Sequence, residues 1–186
     1  SHATGFVGEK GRGTPEYHNV INNVDIITST FGKALGGASG GFTSASKEII
    51  NILRQKSRPY LFSNSLAPSI VYASIAAINL IKQSNDLRKK LIKNTKYFRG
   101  ELESMGFNVI KGSHPIIPVM IGDAKIAKKF ADSLLNEKIY VISFSFPVVP
   151  KNEARIRLQI SAAHTTNQLN FALNAFKKIG RKLKII

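Results

Sequence analysis

The sequence predicts an α/β fold, on three observations. A β-branched run at residues 24–30 ends in glycine-rich sequence, helical apolar spacing recurs over 87–105 and 169–179, and short β-branched or aromatic runs lie between the helices. The 186 residues are enough for one or two domains, and a hydrophobic share of 43% can supply a core.

Taken in order, residues 1–45 carry Gly5, Gly8, Gly11, Gly13, Gly32, Gly36, Gly37, Gly40 and Gly41. Among them Val24-Asp25-Ile26-Ile27-Thr28-Ser29-Thr30 reads as a buried strand with a glycine-rich turn at its carboxyl end, a place where a ligand can come close to the backbone. Residues 47–55, with Ile49, Ile50, Ile52 and Leu53, suit a short helix that Arg58-Pro59-Tyr60 breaks. Ser63-Asn64-Ser65-Leu66-Ala67-Pro68 offers cap residues and an early proline before an Ala- and Ile-rich helix that runs to about residue 82. The polar joint Gln83-Ser84-Asn85-Asp86 marks a domain boundary, giving domains 1–83 and 84–186.

Beyond the joint, Leu87, Leu91, Thr95, Phe98, Leu102 and Met105 share a helical face, and Gly106 is placed to end that helix. Strands are expected at 107–110, 115–121, 139–144 and 154–160, with a helix over 124–136 opened by Asp123, so the second domain reads as an α/β unit of mixed strands. Thr165-Thr166-Asn167-Gln168 is a capping-box pattern ahead of a helix bearing Leu169, Phe171, Ala172, Leu173, Phe176 and Ile179.

Inventory removes several chemistries. With no Cys, disulfide scaffolds, thiolate zinc sites, iron–sulfur clusters and cysteine nucleophiles are excluded, and no metal site is expected. No apolar run reaches the roughly 18 residues of a membrane span, and residues 70–81 are interrupted by Tyr72, Ser74 and Asn79. Ser1-His2-Ala3-Thr4 offers neither an initiating Met nor a basic flank before an apolar core, so no signal peptide is read there. A cytoplasmic location is expected, but not on that ground, since a sequence without an initiating Met can begin inside a longer protein. Lys and Arg number 27 against 11 Asp and Glu, a net charge of +16 that suits a polyanionic partner, nucleic acid or a phosphate-rich small molecule. The charge is dispersed, in Lys89-Lys90, Lys128-Lys129, Lys177-Lys178 and residues 181–184, and no basic stretch is interleaved with aromatic residues. A solvated surface is the simpler reading, and no nucleic-acid partner is expected.

Lys33 follows the first strand directly, in Thr30-Phe31-Gly32-Lys33-Ala34-Leu35-Gly36-Gly37, among residues too small to fence off the backbone. A phosphate-binding P-loop is excluded twice, because Ile27 stands where the first Gly is required and Ala34 where Ser or Thr is required. A lysine on such a turn, with the Thr30 hydroxyl three residues earlier, suits covalent attachment of a carbonyl cofactor bearing a phosphate; an ordinary exposed lysine is the plainer alternative. In the 154–160 strand, alternation puts Arg155, Arg157 and Gln159 on one face and Ile156, Leu158 and Ile160 on the other. By residue type alone both arginines read as a solvated face.

The stretches Ser1-His2-Ala3, 8–16, 25–41, 58–68 and 154–165 together resemble the α-oxoamine synthases, pyridoxal 5′-phosphate (PLP) enzymes of the aspartate aminotransferase fold type I. Several motifs match in order, from Ser1 to the last helix. The resemblance implies that residues 1–83 end a large PLP-binding domain and that 84–186 form a small carboxyl-terminal α/β domain. It implies that Lys33 holds PLP through its amine and later acts as base, that Thr30 contacts the phosphate, and that His2 lies near the phenolic oxygen and assists proton movement. Ser63 and Asn64 would reach the phosphate across a dimer interface, and Arg157 would fix the substrate carboxylate. Gly11-Arg12-Gly13-Thr14-Pro15-Glu16-Tyr17, 58–68 and 154–165 look most like members that condense glycine with acetyl-CoA, working as homodimers.

The resemblance covers the carboxyl half of the family. The family's Asp-Asp-Ser-His-Ala stretch is present here only from Ser1, so the aspartate that pairs with the pyridine nitrogen falls outside the chain, as does the aromatic group stacked on the ring. Little activity is expected of these 186 residues alone. Two other readings stay open, a sister synthase using another amino acid and acyl thioester, and a basic remnant without catalysis.

Overall fold

In the computed structural model, which describes residues 1–186, the chain divides into two units, Ser1–Asp86 and Leu87–Ile186. The glycine-rich start of the first unit closes on one carboxylate. Glu16, in the short helix α1 (Thr14–Tyr17), accepts the backbone amides of Lys10 and Arg12 at 3.0 and 2.9 Å. A 3₁₀ turn at Ile21–Asn23 leads to a hairpin of β1 (Ile27–Thr30) and β2 (Gly41–Ser44), antiparallel, with Ile27 opposite Ser44 and Thr30 opposite Gly41. The strand expected over 24–30 is therefore shorter, and it is not buried: Val24 and Ile26 are 36% and 49% exposed, and Ser29 is the one buried residue of β1. Two paired strands have no second layer of their own to cover them. β2 itself was not anticipated, being only Gly41, Phe42, Thr43 and Ser44 inside glycine-rich sequence.

Ser46 caps α2 (Lys47–Lys56), its hydroxyl accepting the Ile49 amide at 3.4 Å. Arg58-Pro59-Tyr60, expected only to break that helix, also opens a new one, α3 (Arg58–Phe62), because Pro59 falls in the first turn where a missing N–H costs little. α4 (Pro68–Gln83) likewise has Pro68 in its first turn, but its N-cap is Ala67 and no side chain caps it. The expected capping by Ser63 and Asn64 is not made. Both lie ahead of Ala67, out of reach of the N2 and N3 amides that a cap serves. No helix is long and apolar enough to cross a membrane.

The second unit is built on α5 (Asp86–Ser104), whose start is fixed by Ser84 Oγ accepting the Asp86 amide at 3.1 Å. Gly106, at φ +96°, turns the chain out of α5 in a conformation that any Cβ would strain, as its position in the sequence predicts. β3 (Ile116–Gly122), α6 (Ala124–Asn136), β4 (Ile142–Phe144), β5 (Ala154–Gln159) and α7 (Thr166–Lys182) follow. The sheet order is β3-β5-β4, and both pairings are antiparallel. The expected mixture of parallel and antiparallel pairs is absent, because β5 inserts between β3 and β4 and runs against both.

Phe98, Phe107, Phe130 and Phe176 meet in the core at ring-centroid distances of 5.2 to 6.3 Å, mostly edge to face. Around them Leu102, Ile117, Val119, Leu134 and Ile156 are fully buried. The strand expected at 107–110 shrinks to one bridge, Val109 opposite Val119. Ile110 donates to the Pro118 carbonyl at 3.2 Å, but Pro118 has no N–H to return. Arg99 Nη1 takes the Ile110 carbonyl instead, and Nη2 the His114 carbonyl, while burial draws the Arg99 pKa down from its ordinary value against the pull of Glu103. β4 is likewise shorter than the expected 139–144 strand, since only residues 142–144 pair with β5.

Candidate functional site

Lys33 lies in the loop 31–40 that joins β1 to β2, and it is exposed. Backbone bonds tie the loop to itself: Phe31 N–H donates to Gly40 O at 2.9 Å, Gly37 N–H to Phe31 O at 2.8 Å and Gly36 N–H to Lys33 O at 3.1 Å. Packing holds it from outside. Leu35 is buried, Gly40 lies against Leu66, and Gly37 sits so close to α4 that a Cβ there would run into Ser74 Oγ and stand 2.8 Å from Phe31 Cβ. The Lys33 amine forms no ion pair and is presented to solvent from a constrained backbone.

Thr30 ends β1 beside this loop. Its hydroxyl donates to Gly40 O at 2.8 Å and accepts from Gly32 N–H at 3.0 Å, so its single proton is already engaged. The residue before it, Ser29, donates to Thr4 Oγ1 at 2.8 Å and approaches Ser1 Oγ at 3.5 Å. His2 therefore belongs to a segment moored on β1, next to Thr30. Lys33, Thr30 and the His2 segment are brought together by the hairpin. Ser63 and Asn64 are exposed in the 63–67 linker between α3 and α4, where Leu66 is the residue that meets the loop; neither side chain bonds to the loop.

Arg157 belongs to the second unit. The burial of β5 alternates as expected, with Ile156, Leu158 and the following Ile160 buried and Arg155, Arg157 and Gln159 on the more open face. Arg155 is engaged by Glu153, at 2.8 Å to the carboxylate and 3.0 Å to the carbonyl. Arg157 has no carboxylate partner, and its guanidinium carbon stands 5.3 Å from the centre of the Phe144 ring. It lines a cleft of about 760 Å³ with Phe144, Gln159, His164, Gln168 and Phe171. The turn at the end of β5 is fixed by the buried Asn94, whose Nδ2 donates to Ser161 O at 3.1 Å and His164 O at 3.0 Å. Asn94 and Phe144 escaped the sequence reading. Glu153, two residues before Arg155, was the signal that could have separated the two arginines.

The first unit thus presents an exposed amine on a glycine-packed hairpin loop, and the second presents an arginine without a carboxylate partner on an antiparallel sheet. The chain belongs to the aminotransferase class I and II family, whose model matches residues 1–176. It is similar to 2-amino-3-ketobutyrate coenzyme A ligase of Escherichia coli (strain K12), with 56% identity over 100% of this chain and 47% of that protein. It is 42% identical, over the same shares, to 8-amino-7-oxononanoate synthase of Thermoanaerobacter pseudethanolicus. In three dimensions it resembles a high-resolution structure of SPT with PLP internal aldimine, at a TM-score of 0.95 and 30% identity over 100% of this chain and 47% of that one. The chain thus spans about half the length of the relatives it matches.

Proposed function

We propose that the chain is the carboxyl-terminal part of a PLP-dependent enzyme that condenses glycine with acetyl-CoA to give 2-amino-3-ketobutyrate and CoA. One observation carries the reading: Lys33, an exposed amine without an ion pair on a constrained loop, lies in a chain 56% identical throughout to the E. coli ligase. On this reading residues 1–83 close the large PLP-binding domain and 84–186 form the small domain. The working unit is a homodimer in the cytoplasm.

The residues suit the cofactor. A primary amine can bond its aldehyde, and the exposed Ser63 hydroxyl and Asn64 amide have protons to offer a phosphate, which in a dimer is that of the partner's site. Thr30 joins them only by exchanging its present acceptor, Gly40 O, for a phosphate oxygen. When bound, PLP supplies an electron sink that makes the glycine Cα proton removable. Lys33 Nζ is the base that takes that proton. Arg157 grips the glycine carboxylate with two parallel N–H donors, which selects an α-amino acid over a simple amine. His2, moored through Ser1 and Thr4 on Ser29, is assigned to proton movement at the cofactor's phenolic oxygen. The new bond joins glycine Cα to the acetyl carbonyl carbon, the thioester C–S bond breaks, and CoA leaves as its thiolate. Part of the +16 charge serves to gather the CoA phosphates.

The second reading is a sister α-oxoamine synthase, and the lower identity of 42% to 8-amino-7-oxononanoate synthase ranks it behind. The deciding experiment measures CoA release by the full-length holoenzyme across glycine, alanine and serine, each with acetyl-CoA and longer acyl-CoAs. The highest kcat/KM is expected for glycine with acetyl-CoA. A preference for alanine with a longer thioester would move the assignment to the sister enzyme. The 186 residues by themselves are expected to turn over little, since the family's pyridine-nitrogen aspartate is not among them.

A further inference from the structure

We infer that Phe144 is the positioning residue of the Arg157 guanidinium and thereby sets how well the enzyme recognises the carboxylate of its amino-acid substrate; this deepens, and rests on, the reading of Arg157 given above. The pairing register makes the contact. β4 sets Phe144 opposite Arg155 and Ile142 opposite Arg157, so Phe144 lies on the same face as Arg157 and diagonal to it. At that spacing an aromatic ring and a long side chain reach one another, and the guanidinium carbon stands 5.3 Å from the ring centroid.

The chemistry of the contact distinguishes Arg157 from its neighbour. Arg155 is held by Glu153 through a carboxylate oxygen at 2.8 Å on Nη2 and a carbonyl at 3.0 Å on Nε, so its charge already has a carboxylate partner. Arg157 is held by a ring face. Such a face attracts a cation through its quadrupole but accepts no conventional hydrogen bond, so the in-plane donors of the guanidinium stay available for an incoming carboxylate. Its neighbours across the sheet, Pro118 of β3 and Ile142 of β4, likewise offer no side-chain acceptor. The arginine is oriented before the substrate arrives and has no side-chain carboxylate to give up, which lowers the ordering cost of binding.

The test compares five forms of the full-length holoenzyme: wild type, Phe144→Leu, Phe144→Tyr, Arg157→Ala and the double variant Phe144→Leu with Arg157→Ala. Phe144→Leu should raise the KM for glycine roughly twofold to fivefold, the range of a partly exposed cation–π contact, with kcat and the KM for acetyl-CoA unchanged. Phe144→Tyr, which keeps the ring face, should match wild type. Added to Arg157→Ala, Phe144→Leu should lower kcat/KM for glycine no further, because the partner it orients is gone. A wild-type glycine KM in Phe144→Leu beside a large loss in Arg157→Ala overturns this inference and leaves the function standing. No loss in Arg157→Ala overturns the role given to Arg157, and this inference with it. A parallel change in both Michaelis constants and kcat, unrescued by Phe144→Tyr, marks a general packing role and also overturns it.

Discussion

Gly37 acts through what it lacks. A Cβ would collide with Ser74 Oγ, which is already committed to Ile70 O at 2.8 Å, and with Phe31, so the loop carrying Lys33 lies against α4 only because this residue is glycine. Gly37→Ala is expected to weaken PLP binding, with a cost of about 1–3 kcal/mol for overpacking a close contact. Titrating the cofactor absorbance of the variant holoenzyme against wild type measures it, and unchanged affinity would show that the loop can give way. At this scale the place of Lys33, exposed on the loop directly after β1, was legible in one dimension. Phe144 was not, because its relation to Arg157 exists only once β4 and β5 have chosen their register.

Among the elements, those defined by local chemistry were readable, as were β3 and β5, whereas the lengths of β1 and β4 and the existence of β2 follow from pairing and were not. The capping box of α7 is made as the sequence predicts, with Thr165 Oγ1 accepting the Gln168 amide at 3.3 Å and Gln168 Oε1 accepting the Thr165 amide at 2.9 Å. Thr165→Ala should therefore destabilise the folded protein by about 1 kcal/mol. Gly100 gives a change of opposite sign. It is exposed in the interior of α5 and a Cβ there meets nothing within 4 Å, so Gly100→Ala should stabilise by about 0.5–1 kcal/mol. Urea unfolding of the two variants checks both signs, and two shifts in the same direction would contradict this account of the helices. By contrast, residues 107–110 have the composition of a strand and fail to become one because Pro118, eight positions from Ile110 and on another segment, lacks a donor. A short window holds both residues but not the antiparallel pairing that makes the missing donor matter.

For the whole molecule, the two units differ in what they bury. The second has an aromatic and aliphatic core drawn from α5, α6, α7 and the sheet, whereas Leu35 is the one buried apolar side chain of the first. Phe62 and Tyr72 of the first unit are 80% and 75% exposed, surface that a partner chain or further polypeptide can cover. Hydrogen exchange on the 186-residue chain should find long-lived amides in α5, β5 and α7 and rapid exchange in β1, β2 and α4. Equal protection of both units would show that the first is stable unaided. The alternating strands and helices of the second unit could be read from periodicity, since its core is local to it. The open character of the first could not, because apolar residues such as Ile26, Phe62 and Ile75 look the same in a sequence whether or not they are covered.

The assignment as a whole stands on Lys33 as the amine that receives the cofactor. Reducing the PLP-loaded full-length protein with borohydride and mapping the labelled peptide tests this most directly. A single pyridoxyl label on Lys33, lost in Lys33→Ala together with glycine-dependent CoA release, is the expected result. A label on another lysine, or none on a protein that still releases CoA, would contradict it.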